Sequence, residues 1–166
     1  YKFGNLEELM ANLHIFKYPV VLKSYEGAVS RNVRMCYSER DIFKAAKKLM
    51  KSPNLKEDLK ELYRSYKCSP YKPDSRFRKK GIVQNMIKGL ENDWKVLVFG
   101  DKLYKLKRLN RIGDPRASGS GRFIFDKEVD SEILDFAMEY YKKFNVPVAS
   151  LDIAKDELGC ILIEFQ

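Results

Sequence analysis

Leu151-Asp152-Ile153-Ala154-Lys155-Asp156-Glu157-Leu158-Gly159-Cys160-Ile161-Leu162-Ile163-Glu164-Phe165-Gln166 reads as two apolar strands around a polar turn. A register centred on Leu158 sets Asp152 opposite Glu164, and opposed side chains of an antiparallel pair share a face at roughly 5 Å. Gln166, two residues past Glu164, joins that face, while Leu151, Ile153, Ile161, Ile163 and Phe165 are expected in the core. Two adjacent carboxylates repel each other unless a cation lies between them. Oxygen donors completed by a phosphate suit Mg²⁺. An exposed polar sheet face with nothing bound is the other reading, and hairpin geometry alone allows both.

Upstream, residues 94–99 and 102–108 flank Gly100-Asp101 as a second hairpin. Its register places Asp93, Lys95 and Arg108 on one face and Lys105 and Lys107 on the other. An arginine held by a strand suits phosphate oxygens. Residues 110–121 form a Gly/Ser loop, and 131–144 a helix with Leu134, Ala137, Met138 and Tyr141 on one side. Near the start, Leu6, Leu9, Met10 and Leu13 mark a helix over 5–13. Lys23 ends the apolar strand Val20-Val21-Leu22, either meeting a phosphate as a point charge or snorkelling to solvent. A loop with Gly27 leads to a returning strand over 32–36. Ser38-Glu39-Arg40-Asp41 resembles a capping box before a helix through Met50. Leu55, Leu59, Leu62, Tyr63 and Tyr66 give a further helix, 68–78 a loop, and 81–87 a strand. The class is α+β with antiparallel sheets in two layers.

The 166 residues are 45% apolar and 13% aromatic, which excludes a disordered chain. No apolar run approaches the roughly 18 residues of a membrane span, and no signal peptide opens the sequence. The first residue is Tyr1 and the opening reads as mid-domain, so an upstream N-terminal portion is expected. Cys36, Cys68 and Cys160 are too far apart for a disulfide framework or zinc cluster, pointing to reduced thiols and a cytoplasmic protein. His14 is the single histidine, which argues against His-based triads and multi-histidine metal sites. The net charge of +9 implies an anionic partner or a solvated basic face. Much of it lies in 51–80, an excursion read as a solvated face.

In order along the chain stand Tyr18-Pro19-Val20-Val21-Leu22-Lys23, the small-residue loop 27–30, Val83-Gln84-Asn85-Met86-Ile87, Asp93-Trp94-Lys95-Val96-Leu97-Val98-Phe99-Gly100, Lys107-Arg108, Arg116-Ala117-Ser118-Gly119, Leu151-Asp152-Ile153 and Ile163-Glu164-Phe165-Gln166. This ordered set resembles the ATP-grasp superfamily, closest to the branch of ribosomal-protein glutamate ligases and glutathione synthetases. The resemblance implies two α+β lobes, 1–80 with the basic excursion and 81–166, whose antiparallel sheets enclose a nucleotide cleft. It implies that Lys23 binds the ATP phosphates under a loop carrying Gly27 and Ser30. Gln84, Asn85 and Ile87 are then expected at the adenine and Asp93 at the ribose. Arg108 is expected at the transferring phosphoryl group, Arg116 at the acyl phosphate or substrate, and Asp152, Glu164 and Gln166 on one or two Mg²⁺ ions. Three positions depart from the family pattern: the phosphate loop has one glycine, Asn85 replaces a common acid, and Gln166 replaces the usual Asn.

The implied reaction is ATP-dependent ligation. A carboxylate takes the γ-phosphoryl group to give an acyl phosphate and ADP, and an amine or thiol then displaces phosphate. The carboxylate substrate and acceptor are unidentified, and a homo-oligomer is compatible. A phosphotransferase of the same fold is the nearer alternative. A basic domain holding nucleic acid through Tyr63, Tyr66, Tyr71 and Phe77 is the less favoured one. No membrane partner is expected.

Overall fold

The computed structural model describes residues 1–25, 32–87, 89–111, 120–125 and 130–166. The chain divides into two compact units, Tyr1–Met86 and Ile87–Gln166.

The first unit holds a four-stranded antiparallel sheet of β1 (Lys2–Phe3), β2 (Val20–Ser24), β3 (Val33–Cys36) and β4 (Gly81–Asn85), in the order β1-β4-β2-β3. Three helices accompany it: α1 (Leu6–Ala11), α2 (Glu39–Leu49) and α3 (Leu55–Lys67). β2 carries Val20 and Leu22 inward, where they meet Leu9, Cys36, Ile42, Ala46, Met50 and Val83. Strand alternation sends Val21 and Lys23 to the opposite face. β4 pairs with β2 from Val20↔Asn85 to Ser24↔Gly81. It therefore belongs to the first unit, and the boundary follows Met86 rather than Lys80.

Ser38 caps α2 as expected, while the Asp41 carboxylate reaches back to the amide one residue before the cap. Ser38 Oγ accepts from the Asp41 amide at 3.2 Å, and Asp41 Oδ2 accepts from the Tyr37 amide at 3.2 Å. Ser38→Ala is expected to cost about 1 kcal/mol in a urea melt, because it orphans a helix N-terminal amide.

α3 forms where the apolar spacing places it, but its buried side chains are Asp58 and Glu61. Leu55, Leu59, Leu62, Tyr63 and Tyr66 all face water. Among the described residues no helix is long and apolar enough to cross a membrane.

The second unit is a five-stranded antiparallel sheet of β5 (Asn92–Phe99), β6 (Lys102–Leu109), β7 (Phe123–Ile124), β8 (Val148–Asp156) and β9 (Gly159–Phe165), in the order β7-β6-β5-β8-β9. Helix α4 (Ser131–Phe144) covers one face, packing Ile133 and Ala137 against Val96, Val98, Leu151 and Ile153. The β5–β6 turn needs the left-handed backbone that Gly100 adopts at φ 61°.

The β8–β9 register corrects the core expectation. Near the turn, Asp156 pairs with Gly159 and Ile153 with Leu162; a bulge then inserts Ile163, and Asp152 pairs with Glu164. The pairing of the two acids is as expected, but the turn is tighter than a Leu158-centred one. Leu162 and Cys160 pack on the α4 side, where Ile161 and Ile163 were expected. Opposite Ala154, Ile161 instead shares the sheet face of the carboxylates.

Candidate functional site

The sheet face of the second unit turned away from α4 carries a band of charge. Asp93 pairs with Arg108 across β5–β6, Lys95 with Asp152 across β5–β8, and Asp152 with Glu164 across β8–β9. Directly opposed residues share a face, so these five side chains form two adjacent rows.

Arg108 is the centre of this band. Its Nε donates to Asp93 Oδ1 at 2.6 Å and its Nη2 to Asp93 Oδ2 at 2.8 Å, a two-pronged pairing. The same Nη2 lies 2.8 Å from Asp152 Oδ2, while Lys95 Nζ donates to Asp152 Oδ1 at 3.1 Å. Asp93 and Arg108 are both buried. Burial pushes the Asp93 carboxyl up, with the Arg108 hydrogen bonds pulling it down less strongly. For Arg108, burial opposes the charge, but the bonds to Asp93 and Asp152 outweigh it and hold the guanidinium above its usual range.

Asp152 differs from Asp93 in exposure, its side chain being 14% exposed against 7%. A carboxylate has about four acceptor positions, so Asp152 retains capacity beyond its two cationic partners. Glu164 beside it is exposed. Gln166 continues the row, exchanging both backbone hydrogen bonds with Ser150 at 2.8 Å. The Ser150 hydroxyl, on that same face, is buried without a hydrogen-bond partner among the described residues.

The donor set can be tested against a divalent ion. Among the described residues no group of three or more His, Cys, Asp and Glu side chains is placed to hold a metal. What the face offers is two paired carboxylates, an amide and an orphaned hydroxyl, all oxygen donors. That set fits Mg²⁺, which keeps several waters and takes one or two carboxylates plus phosphate oxygens. It does not fit a structural metal caged by protein alone.

In the first unit, Lys23 pairs with Ile82 and Val21 with Gln84. Lys23 and Gln84 therefore share the sheet face opposite the α2 core. Asn85 pairs with Val20 on the other side of the alternation, so only its backbone is suited to the role expected of it. Ile87 follows β4 at the unit boundary. Gly27, Ser30 and Arg116 lie outside the described residues. Asp93, expected at the ribose, is buried and receives two hydrogen bonds from Arg108, which it positions.

A cavity of about 490 Å³ in the second unit is lined by Lys107, Asn110, Arg111 and Arg122, with Glu91 and Leu109 among the remaining walls. Lys107 alternates away from Arg108, so this cavity does not belong to the charged face. The feature that sequence reasoning missed is Lys95 as a partner of Asp152. Strands β5 and β8 are far apart in sequence, and nothing local in either signals their pairing.

No protein-family model matches the sequence, and no curated protein matches it. Solved structures do match. An N5-carboxyaminoimidazole ribonucleotide synthetase in its ADP complex aligns over 100% of this chain and 39% of its own, at 15% identity and a TM-score of 0.62. D-alanine–D-alanine ligase from Bacillus anthracis aligns over 100% and 49%, at 13% identity and a TM-score of 0.57. An ATP-grasp RimK domain protein from Sphaerobacter thermophilus aligns over 99% and 50%, at 13% identity and a TM-score of 0.58. The chain thus spans half or less of the length of these proteins.

Proposed function

Given that the chain has the ATP-grasp fold, we propose that it is the nucleotide-binding part of an ATP- and Mg²⁺-dependent ligase joining a carboxylate to an amine or thiol. One observation supports this above the others: Arg108 is held by Asp93 and Asp152 on a sheet face that also presents Glu164 and Gln166. That couples a fixed cation for phosphate oxygens to oxygen donors for a divalent ion.

In this reading Lys23 and Arg108 meet the phosphates, the first as a point charge on a strand end, the second as a guanidinium fixed by Asp93. Gln84 and the backbone of Asn85 and Ile87 meet the adenine. Asp152, Glu164 and Gln166 would hold Mg²⁺, which supplies charge neutralisation between the phosphates when bound. Gly27, Ser30 and Arg116 complete the expected set around the phosphates and the activated carboxylate.

The substrate carboxylate attacks the γ-phosphorus, forming a C–O–P linkage and releasing ADP. The acceptor's lone pair then attacks the carbonyl carbon, phosphate leaves, and the acceptor's proton is lost to solvent. No side chain becomes covalently bonded, so the protein contributes positioning and charge stabilisation.

The test is thermal denaturation with ATP, ADP and GTP, each with and without Mg²⁺. ATP and ADP are expected to raise the melting temperature, more with Mg²⁺ than without, by mass action on the folded state. A melting temperature unmoved by any nucleotide at millimolar concentration would overturn the reading.

A further inference from the structure

Helix α3 (Leu55–Lys67) is amphipathic with its apolar side in water. Leu55, Leu59, Leu62, Tyr63 and Tyr66 are each between 58% and 89% exposed. Its inner side is ionic. Asp58 accepts from Arg78 at 2.8 Å and lies 3.5 Å from Arg76 Nε. Glu61 accepts from Arg64 at 2.8 Å, from the Asp74 amide at 3.1 Å and from the Tyr71 hydroxyl.

These bonds fix the helix's rotation. Turning the leucines inward would take Asp58 from Arg76 and Arg78, and Glu61 from the Tyr71 hydroxyl and the Asp74 amide. The orientation is thus enforced, and it presents a contiguous apolar stripe of a kind that soluble monomers rarely leave bare.

The stripe has a definite pattern. Leu55, Leu59, Leu62 and Tyr66 recur at spacings of four, three and four, the seam that one helix offers another. Along its solvent side run Lys56, Lys60 and Lys67, all exposed, with Lys60 in a solvent-exposed pair with Glu57 at 2.7 Å and Lys67 over the Tyr63 ring. The opposite flank is occupied by Asp58 and Glu61, already paired inward.

We propose that α3 is a docking helix whose seam receives an acidic amphipathic α-helix of a partner protein. Leu55, Leu59, Leu62 and Tyr66 supply the apolar contact, and Lys56, Lys60 and Lys67 select carboxylates on the partner's flank. A second copy fits less well, because two chains of net charge +9 would approach through like-charged surfaces. Nucleic acid fits less well too. Three of the five stripe residues are leucines, which do not stack on bases, while the Tyr71 hydroxyl is held by Glu61 and Phe77 packs against the first unit's core.

The probes are two labelled three-heptad peptides with leucine at the seam, one carrying glutamate and the other lysine at every flanking position. Binding is read by fluorescence anisotropy against the wild-type chain and a Leu59→Ser/Leu62→Ser variant, whose folding is checked by circular dichroism. The glutamate peptide is expected to bind about tenfold or more tighter than the lysine peptide, since opposed like charges oppose association. Added salt should narrow that difference, and the double variant should lose binding while keeping its helix content. Equal affinity for the two peptides, no affinity for either, or undiminished binding by the variant would overturn the proposal. So would tighter binding to oligonucleotides or phosphatidylserine vesicles, or self-association in sedimentation that the double variant abolishes.

Discussion

Arg108→Ala is expected to destabilise the second unit by about 3–5 kcal/mol, the cost of leaving a buried charge without its partner. Asp93 is 5% exposed and receives two hydrogen bonds from Arg108, at 2.6 and 2.8 Å. Asp152 loses one of its two cations in the same step, keeping Lys95. Lysine is not a conservative replacement, because an ammonium cannot span both oxygens of Asp93 while reaching Asp152. Lys95→Ala should cost far less: its side chain is about a third exposed, and exposed ion pairs contribute at most about 1 kcal/mol.

The pH dependence of the alanine variant gives an independent check. Burial already pushes the Asp93 carboxyl up with Arg108 present. Without Arg108 that rise grows, so the folded variant binds a proton more tightly than its unfolded chain does. Its deficit against wild type should therefore shrink as pH falls towards the raised value and be largest at neutral pH. Urea melts across that range measure it. A deficit that grew with acidity would mean that Asp93 is not the stranded group.

Leu151→Ala is expected to cost about 2–5 kcal/mol, the range for a leucine truncated within a packed core. Leu151 is fully buried against the α4 side of the sheet, opposite Val96 and Phe165. Ile161→Ala makes the informative comparison. A Leu158-centred hairpin puts Ile161 in the same core, but the tighter observed turn sets it opposite Ala154 on the other face, and its truncation should cost clearly less. Equal losses in urea melts would mean that the turn is misplaced.

Those two residues also mark how far the sequence was legible. Alternation showed which face β8 buries, and the tight Gly100-Asp101 turn fixed the β5–β6 register, so Asp93 and Arg108 could be set face to face beforehand. The Asp152↔Glu164 pair was legible too, but for an incomplete reason. A two-residue turn followed by a bulge gives the same pairing there as a longer turn without one, while exchanging the inward residues between. Bulges leave no reliable mark in a run as uniformly apolar as Cys160 to Ile163.

Two features escaped for a different reason. The Lys95–Asp152 contact depends on β5 lying beside β8, a long-range choice that no local pattern encodes. The outward rotation of α3 depends on Arg76 and Arg78 reaching back to Asp58 from a later loop. Helical periodicity says which residues share a face but not which face the protein buries. Here the ionic face was taken inward because its partners were waiting there.

Calorimetric titration of ATP into the wild-type chain and the Glu164→Gln variant, with and without Mg²⁺, bears most directly on the function. Glu164 is exposed and lacks any ion pair among the described residues, so its substitution should leave folding intact. With Mg²⁺ the wild type should bind ATP more tightly than the variant by about 1.5–3 kcal/mol, the worth of a charged contact, or roughly tenfold to a hundredfold. Without Mg²⁺ the two should bind alike. Equal affinities in the presence of Mg²⁺ would contradict a divalent ion shared between this carboxylate row and the nucleotide.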